Sequence, residues 1–420
     1  MATAVKSVIE ACESAKRAAR ALATADTATK DRVLTRLADL LDERGAEVLE
    51  ANEADLADER AIGLSDALRD RLALDPSRIA AMAEGVRAIV ALDDPIGEVL
   101  EHRTIDSGLD LRKVRVALGV VAVIYEARPN VTVDCAALCL KSGNAIVLRG
   151  SSYAQRSNAA LAALVREAVA ESGLPAGAVE LLPGERSELE QLATAEGLVE
   201  LVIPRGGEGL KNALKAVATV PVLYAAGGNC HVYVDDSANL EMARKIAYNA
   251  KVDRPGVCNA AETLLVNADV ASEFLPGVLS DLHSAGVELV GDGRSQAAAG
   301  ATPVGEATEE DWDTEYHGLK MTVGVVDSLA SAIEHVNAHT TGHTEAIVTG
   351  SDVAADEFTG AVDAAVVFVN ASTRFTDGFA FGMGAEIGNS TQKLHARGPI
   401  GLRELTTTKY IVHGDGQVRG

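Results

Sequence analysis

Cys258 is the residue whose type and surroundings point most directly to chemistry. It lies in the run DRPGVCNA, just after a Pro-Gly pair, where a helical pattern ends and a strand-like run begins. A side chain at such a junction projects from the edge of a scaffold. A thiol with an unshifted pKa is only about 3% thiolate at pH 7, so a nucleophile here needs nearby N–H groups or positive charge. Since an unpaired cysteine is more often a small buried core residue, local context alone leaves both roles open.

The other four cysteines have structural surroundings. Cys135 and Cys139 are four positions apart on an apolar helical run, Cys12 lies in an amphipathic helix, and Cys230 follows a Gly-Gly pair that leaves its role open. An odd number of cysteines at low density, without paired short spacings, argues against a disulfide framework. We therefore expect a reducing, cytoplasmic location.

Three histidines are spaced as a metal-binding helix face would require. His335, His339 and His343 follow an i, i+4, i+8 pattern. A glycine and two threonines before His343 should end the helix, so only two histidines would share a face and no metal is expected. We expect instead a loop that brings His343, Thr344 and Glu345 near a polar substrate.

Two turns after predicted strands offer a cradle for phosphate. Gly206 and Gly207 lie in VIPRGGEG, where the backbone can approach a ligand and a helix start presents free N–H groups. Arg149, Ser151 and Ser152 follow another strand and supply one cation and two hydroxyls. Each turn alone is a weak signal, because such turns also simply join elements.

Composition bounds the class of protein. The 420 residues are 47% apolar but only 3% aromatic, so small aliphatic side chains must fill the core of two or three structural units. A net charge of −23 disfavours nucleic acid and anionic membranes as partners. The acidic residues are spread along the chain, which suits either a high-salt cytosol or an ordinary acidic protein. No apolar signal core is present near the first residues, and no apolar stretch is long enough to span a membrane.

Hydrophobic patterning predicts an α/β protein with parallel sheets. Residues 1–92 have a helical pattern, with Asp75 and Pro76 as the N-cap and first residue of one helix. Further along, short β-branched runs alternate with helices, including 158–172, 209–218, 271–285 and 328–339. The predicted strands are 120–125, 145–148, 179–182, 199–203, 221–225, 263–266, 287–290, 321–326, 346–349 and 365–369. Residues 101–118 predict a polar hairpin, which we expect to pack against another subunit together with the strand-like run 405–412.

Four segments together resemble the aldehyde dehydrogenase superfamily, and within it the γ-glutamyl phosphate reductases of proline biosynthesis. They are YEARPNVT from Tyr125, RPGVCNAAET from Arg254, EHVN with GHTEAI from Glu334, and AEIG with HARGP from Ala385. The motifs occur in the family's order and cover the chain. The resemblance implies an aldehyde-dehydrogenase-like fold with two Rossmann-like α/β domains and a β-hairpin oligomerisation element.

The resemblance also implies how the chain is divided. Residues 1–100 and 119–230 would form an NADPH-binding domain, and 231–390 a catalytic domain that carries Cys258. Residues 101–118 and 391–420 would form the oligomerisation element of a homo-oligomer. An association with glutamate 5-kinase is implied as well.

Roles for individual residues follow from the same resemblance. Cys258 would be the nucleophile, and Asn130 matches the amide that forms an oxyanion hole with the Cys258 N–H. Glu315 would hold the nicotinamide ribose. The other cofactor residues would be Arg149, Ser151, Ser152, Gly206 and Gly207. The candidates for substrate binding, each of which is otherwise a structural loop residue, are Asn229, His343, Thr344, Glu345 and Arg397.

Two departures from the wider superfamily indicate the reaction. Relatives that hydrolyse their thioester carry a glutamate just before the Gly-Gly pair, where this chain has Ala225 and Ala226. Without that base, water is not activated against a thioester. Ser152 stands where many NAD-using relatives hold an acidic residue, which fits NADPH. We expect reduction of L-glutamyl 5-phosphate to L-glutamate 5-semialdehyde, with phosphate release, through a thioester on Cys258.

Three other functions fit parts of the sequence. An oxidising aldehyde dehydrogenase shares the motifs but needs the absent glutamate. A thiol hydrolase would use Cys258 with a histidine such as His317 and would need no cofactor. A non-enzymatic scaffold would use the hairpin to assemble.

Overall fold

The alternation of strands and helices predicted from the sequence is present in a computed structural model, which describes residues 6–61, 63–224 and 227–419. The helices are α1 Val8–Leu22, α2 Thr27–Leu56, α3 Asp66–Leu72, α4 Pro76–Val90, α5 Asn130–Lys141, α6 Gln155–Glu171, α7 Ser187–Ala193, α8 Glu208–Val217, α9 Leu240–Val252, α10 Ala268–Ser284, α11 Gly293–Ala298, α12 Leu329–His339 and α13 Asp352–Ala361. The strands are β1 Val99–Thr104, β2 Asp110–Ala117, β3 Val120–Tyr125, β4 Ala145–Arg149, β5 Val179–Leu182, β6 Leu201–Arg205, β7 Cys230–Val234, β8 Ala261–Asn267, β9 Glu288–Gly291, β10 Gly305–Glu306, β11 Lys320–Val326, β12 Thr344–Val348, β13 Val366–Val369, β14 Asn389–Ser390, β15 Gly398–Pro399 and β16 Thr406–His413.

The described residues form two compact units. The first unit is built from the chain up to Tyr224, with Gly382–Gly388 and the segment from Ile400 onward. The second unit is built from the chain between there and Phe381, with Asn389–Pro399. The predicted oligomerisation segment 391–420 is therefore split between the two units at residue 400. Within that segment, β16 is the strand that pairs with the hairpin.

The first unit has a parallel sheet in the order β5-β4-β3-β6. Every residue of β3 is buried, as expected of an apolar run covered by helices on both faces. The N-terminal helices pack around this sheet, and Asp75 caps α4 by accepting the backbone N–H of Arg78 at 2.8 Å. The predicted cap with its following proline is confirmed.

A polar hairpin lies in the first unit, as the sequence predicts. β1 and β2 pair antiparallel, and the turn between them contains Gly108 at φ +82°. β16 adds to the other edge of β2, which gives a three-stranded antiparallel sheet. Its exposed apolar side chains are Val99, Leu100, Tyr410 and Val412.

The second unit has a larger parallel sheet, in the order β10-β9-β11-β8-β7-β12-β13. β8 and β12 are buried along their whole lengths. Aliphatic side chains from α9 and α10 pack on this sheet, among them Ile246, Leu275 and Leu279. The parallel arrangement and the aliphatic core agree with the sequence prediction.

Two predictions about strands were wrong in detail. The run 221–225 is not a strand of the sheet, because Val222 forms a single bridge to Val202 on the outer side of β6; Ala225 lies outside the described residues. Thr344 and Glu345, expected in a loop, belong to β12 because they continue the apolar run that pairs with β7 and β13. The strand β7 was not predicted.

Within the described ranges, none of the helices combines the length and the apolar character needed to cross a bilayer.

Candidate active site

Cys258 lies in the loop between α9 and β8, and its side chain is exposed. Cys12, Cys135, Cys139 and Cys230 are all buried. Burial raises the pKa of Cys12 to about 11 and raises the pKa of the other three still further. Since the thiolate is the reactive form, Cys258 is the cysteine of this chain that is suited to act as a nucleophile.

The main chain of Cys258 is held against the Gly-Gly pair that precedes β7. A Cβ at position 228 would lie 1.6 Å from the carbonyl oxygen of Cys258, so only glycine fits there. The buried thiol of Cys230 donates to the same carbonyl oxygen at 3.2 Å. These contacts locate the Cys258 backbone and leave its side chain outward.

Glu315 lies on the other side of the same Gly-Gly pair. A Cβ at position 227 would come within 2.5 Å of a Glu315 carboxylate oxygen, and His317 Nε2 lies 3.2 Å from that oxygen. Burial opposes ionisation of Glu315, but hydrogen bonds from His317 and from the Gly228 N–H hold its pKa below the usual value. Glu315 is therefore an ionised, mostly buried hydrogen-bond acceptor. The sequence predicts that no hydrolytic base stands at Ala225 or Ala226. Both residues lie outside the described residues.

These groups gather at one edge of the second unit's sheet. Cys258 precedes β8, the Gly-Gly pair precedes β7, Glu315 precedes β11 and His343 precedes β12. The four strands are neighbours in the order β11-β8-β7-β12 and run parallel. Parallel strands bring their amino ends to the same edge. The sheet thus brings together site residues that are distant in sequence.

Three of the predicted substrate residues are fully buried at this edge: His343, Thr344 and Glu345. Glu345 accepts from the backbone N–H of His231 at 2.6 Å and lies 2.9 Å from His231 Nδ1. Thr344 hydroxyl donates to the hydroxyl of Thr376 at 2.9 Å. Hydrogen bonds inside the unit therefore occupy Thr344 and Glu345, and their substrate role stays a prediction.

Asn229 and Arg397 differ in how their polar atoms are used. The buried Asn229 amide donates to the carbonyl oxygens of Trp312 and His339, at 2.7 and 2.9 Å, and its side-chain oxygen has no hydrogen-bond partner. Arg397 is partly exposed and pairs with Asp363 at 2.9 Å. Arg397 thus presents a cation at the surface of its unit, whereas Asn229 ties the end of α12 to the segment that contains Trp312.

The predicted cofactor residues of the first unit also share an edge. Arg149 is the last residue of β4, Ser151 and Ser152 follow that strand, and Gly206 and Gly207 lie between β6 and α8. β4 and β6 flank β3 in parallel, so both turns lie at the carboxyl edge of the sheet, where dinucleotides bind in such folds. The sequence predictions for these residues therefore converge on one place.

The turns at that edge pack closely against side chains of the same unit at their glycines. A Cβ on Gly150 would meet the Asn158 amide nitrogen at 2.1 Å, and one on Gly206 would meet Glu126 at 2.7 Å. Arg149 donates to the carbonyl oxygens of Gly184 and Glu185, at 3.0 and 2.9 Å, while its buried Nε atom has no hydrogen-bond partner. That Nε atom lies 4.0 Å from a Glu188 carboxylate oxygen, so groups of the same unit hold the guanidinium in place.

Sequence reasoning missed two carboxylates in the first unit. Glu126 accepts the Gly207 N–H at 3.2 Å, at the amino end of α8. Asp134 accepts from the Asn130 side-chain amide at 2.9 Å, one turn further along α5. Burial raises the pKa of Asp134 to about 6, although Asn130 and Arg205 act in the other direction. The i, i+4 spacing of Asn130 and Asp134 was the signal that could have revealed the pair.

The three regularly spaced histidines, His335, His339 and His343, do not all lie on one helix. α12 ends at His339, so His343 leaves the helix as the sequence predicts. The His335 ring lies edge-on to Trp312 and is tilted against His339, and burial lowers its pKa to about 4. His339 Nδ1 lies 2.8 Å from Asp313. Among the described residues, no group of three or more histidine, cysteine or acidic side chains is placed to hold a metal ion.

An exposed thiol at the edge of one parallel sheet, and glycine turns at the carboxyl edge of another, define an α/β oxidoreductase of the aldehyde dehydrogenase type. The model of the aldehyde dehydrogenase family matches residues 1–302. The chain therefore belongs to the aldehyde dehydrogenase family, whose members use a nicotinamide cofactor.

Relatives within that family confirm the more specific resemblance. The chain is 52% identical to the gamma-glutamyl phosphate reductase of Thermobifida fusca, over 99% of both chains. It is 53% identical to that of Kineococcus radiotolerans, over 99% of this chain and 97% of the other. The crystal structure of gamma-glutamyl phosphate reductase from Thermotoga maritima has a TM-score of 0.95 and 45% identity, and it covers 99% of this chain and 100% of its own.

Replacing Gly228 with alanine tests the packing of the Cys258 backbone. Because the added Cβ would overlap main-chain atoms, we expect a loss of about 2 kcal/mol or more in unfolding free energy. The rate at which iodoacetamide alkylates Cys258 should also change. The matched control is Gly256→Ala, where the nearest atom to a new Cβ is 3.5 Å away. Wild-type stability and thiol reactivity in Gly228→Ala would contradict the described packing.

The raised pKa of Asp134 predicts a pH-dependent contribution to stability. The folded state holds a proton on Asp134 up to about pH 6, while the unfolded chain releases it near about pH 4. Stability from this group is therefore present below about pH 4 and is lost as the pH rises through about 6.

Asp134→Asn should remove that loss. The difference in unfolding free energy between the variant and wild type should rise by about 1–2 kcal/mol from pH 4.5 to 7. This is less than the full shift would give, because the Asp134 side chain is only partly buried. Denaturant unfolding followed by circular dichroism measures the difference. A relative stability that is independent of pH would show that Asp134 titrates normally.

Proposed function

We propose that the chain reduces L-glutamyl 5-phosphate to L-glutamate 5-semialdehyde with NADPH and releases phosphate, the second step of proline biosynthesis from glutamate. The observation that carries the proposal is the exposed thiol of Cys258, located by Gly228 and Cys230 in a chain whose relatives are named gamma-glutamyl phosphate reductase. Identity to those relatives extends along nearly the whole chain, which supports a shared activity.

The first step is acyl transfer to Cys258. The thiolate attacks the acyl carbon, a C–S bond forms, and the bond from that carbon to the phosphate oxygen breaks. Phosphate is a good leaving group and departs with the bonding electron pair, so no strong general acid is needed. The product of this step is a thioester on Cys258.

Asn130 is proposed to stabilise the oxyanion of that step together with the Cys258 N–H. A donor of this kind typically contributes about 3 kcal/mol to lowering the barrier. Asp134 accepts from the Asn130 amide nitrogen. This bond uses one amide hydrogen, fixes the rotamer and leaves the second hydrogen for the substrate oxygen.

NADPH, when bound, supplies the hydride that reduces the acyl carbon. Arg149, Ser151, Ser152, Gly206 and Gly207 would hold the nucleotide, and Glu315 would accept from the ribose hydroxyls. The reduced carbon remains bonded to Cys258 until the C–S bond breaks, which returns the thiolate and releases the aldehyde. The alanines before the Gly-Gly pair offer no base to activate water, so the thioester persists until it is reduced.

The amino and carboxylate groups of the substrate need polar partners. We assign the carboxylate to Arg397, because it carries a positive charge and is partly exposed. Asn229, His343, Thr344 and Glu345 would shape the site from behind, since all four are buried.

Assembly and location belong to the same proposal. The exposed apolar side chains and open edges of the β1-β2-β16 sheet support a homo-oligomer built through it. An association with glutamate 5-kinase would deliver an acyl phosphate that water otherwise hydrolyses, and a cytoplasmic location suits unpaired cysteines.

Cys258→Ala tests the chemical step. NADPH oxidation with L-glutamyl 5-phosphate should fall by at least about 1,000-fold, because no other exposed thiol in the chain can form the thioester. NADPH binding, followed by fluorescence titration, should persist. Cys12→Ala is the matched control, since that cysteine is buried in α1 and should leave turnover nearly unchanged.

The reverse reaction separates this function from its rivals. L-Glutamate 5-semialdehyde and NADP⁺ should react only when phosphate is present. Turnover without phosphate would identify a hydrolytic aldehyde dehydrogenase. Thiol-dependent hydrolysis without any nucleotide would identify a hydrolase, and either result would end the proposal.

Ser152→Asp tests the preference for NADPH. A carboxylate in that turn should repel the 2′-phosphate and raise the KM for NADPH about tenfold, which corresponds to about 1.4 kcal/mol. The KM for NADH should change less than threefold, and Ser152→Ala should resemble wild type with both nucleotides. Equal effects of Ser152→Asp on NADPH and NADH would place the 2′-phosphate elsewhere.

A further inference from the structure

A buried ion pair closes the loop that carries Cys258. Lys251 is in the last turn of α9 and Glu262 is in β8, eleven positions further along the chain. The Lys251 ammonium group donates to a Glu262 carboxylate oxygen, and both side chains are essentially fully buried. The pair therefore ties together the two elements that flank the loop 253–260.

A buried ion pair is a poor way to add stability. Removing two charges from water carries a large desolvation cost, and apolar replacements of similar size are often neutral or stabilising. The other Glu262 carboxylate oxygen is buried without a hydrogen-bond partner, so the pair is not fully compensated. Its position at both ends of the Cys258 loop indicates a role in the site.

Lys251 also faces the segment that carries Glu315. Its nitrogen lies 5.8 Å from the centre of the Tyr316 ring. Burial lowers the pKa of Lys251, while the charges of Glu262 and Glu315 act to raise it. One buried cation thus interacts with carboxylates from two different parts of the candidate site.

The surroundings of this cation are rich in negative charge. Burial raises the pKa of Glu262 to about 7, although Lys251 lowers it, and the charge of Glu315 raises it further. The titratable groups around the pair are Cys230 from β7, Glu345 from β12, and Glu315, Tyr316 and His317 from the segment before β11. Asp253, in the loop itself, is paired with Arg374. Carboxylates near a thiol disfavour its ionisation, and a nearby cation offsets that effect.

Other contacts hold the middle of the loop. The Asn259 amide donates to the carbonyl oxygen of Thr376 at 2.9 Å, and Arg374 donates to the Asn259 side-chain oxygen. Arg374 is itself paired with Asp253 at 3.1 Å. The ends of the loop depend on Lys251 and Glu262.

We propose that Lys251, through its ion pair with Glu262, is a positioning residue for Cys258: it holds the loop closed and sets the balance of charge in which the thiol ionises. The inference rests on the proposed function in one respect, that Cys258 is the nucleophile. Lys251 itself touches no reacting atom in this proposal.

The test is the pH dependence of alkylation of Cys258 by iodoacetamide in the full-length chain, followed by mass spectrometry of the Cys258 peptide. Glu262→Gln removes a negative charge and keeps a polar partner for Lys251, so the midpoint of alkylation should move down by about 0.5–1 pH unit. The matched control, Glu273→Gln, removes an exposed carboxylate of the same unit and should leave the midpoint unchanged. Cys258→Ala gives the background from the buried cysteines.

Lys251→Met should have the opposite effect. The midpoint should move up, and alkylation at pH 7 should slow by about threefold or more, because the carboxylates are no longer offset. In turnover assays both variants should lower kcat with little change in the KM for NADPH. A purely structural pair would lower stability in both variants without shifting the two midpoints in opposite directions.

Each outcome decides the matter. Opposite shifts support the proposal, and shifts in the same direction, or none, overturn it. If Lys251→Met does not fold, Glu262→Gln with its control decides alone, since its downward shift is required. The alkylation assay needs neither substrate nor NADPH, so it stands or falls separately from the proposed reaction, which the Cys258→Ala turnover assay tests.

Discussion

The candidate site depends on Gly227 and Gly228, which lie between the Glu315 carboxylate and the backbone of Cys258. Gly228 lies against the carbonyl of Cys258, and Gly227 lies against the carboxylate of Glu315, each at a distance that leaves no room for a side chain. The Gly228 N–H also donates to Glu315. The backbone of this glycine pair therefore sets the distance between the loop that carries Cys258 and the buried carboxylate of Glu315.

The two sheets carry their candidate site residues at opposite edges. In the first unit, the glycine turns and Arg149 lie at the carboxyl ends of strands, where helix starts expose N–H groups. In the second, Cys258 and Glu315 lie at the amino ends of strands, where long entry loops approach the sheet. Carboxyl ends suit the recognition of an anion such as a phosphate. Amino ends leave Cys258 on a loop whose shape side-chain contacts must define, and in this protein Cys230, Asn259 and Arg374 provide those contacts.

Much of this could be predicted from the sequence because the signals are local. Strand β3 has the continuous apolar run of a doubly covered parallel strand, α4 has its Asp-Pro start, and Cys258 stands out in its loop. The missed features depend on partners that are distant in sequence. Glu345 looked like a loop residue because its partner, His231, lies on a strand that had not been recognised. Lys251 and Glu262 looked like ordinary charges, since only folding shows that both are buried.

The three-stranded antiparallel sheet has a consequence for the order in which the chain folds during synthesis. Its outer strand, β16, comes from the far end of the chain, while β1 and β2 lie in the first third. The segments from Gly382 and from Ile400 likewise complete the first unit only after nearly all of the second has been made. The second unit is almost continuous in sequence, so its native contacts close over shorter stretches of chain. The part of the protein that leaves the ribosome first is therefore the last to reach its final form. The edge of β2 that pairs with β16 stays open until then.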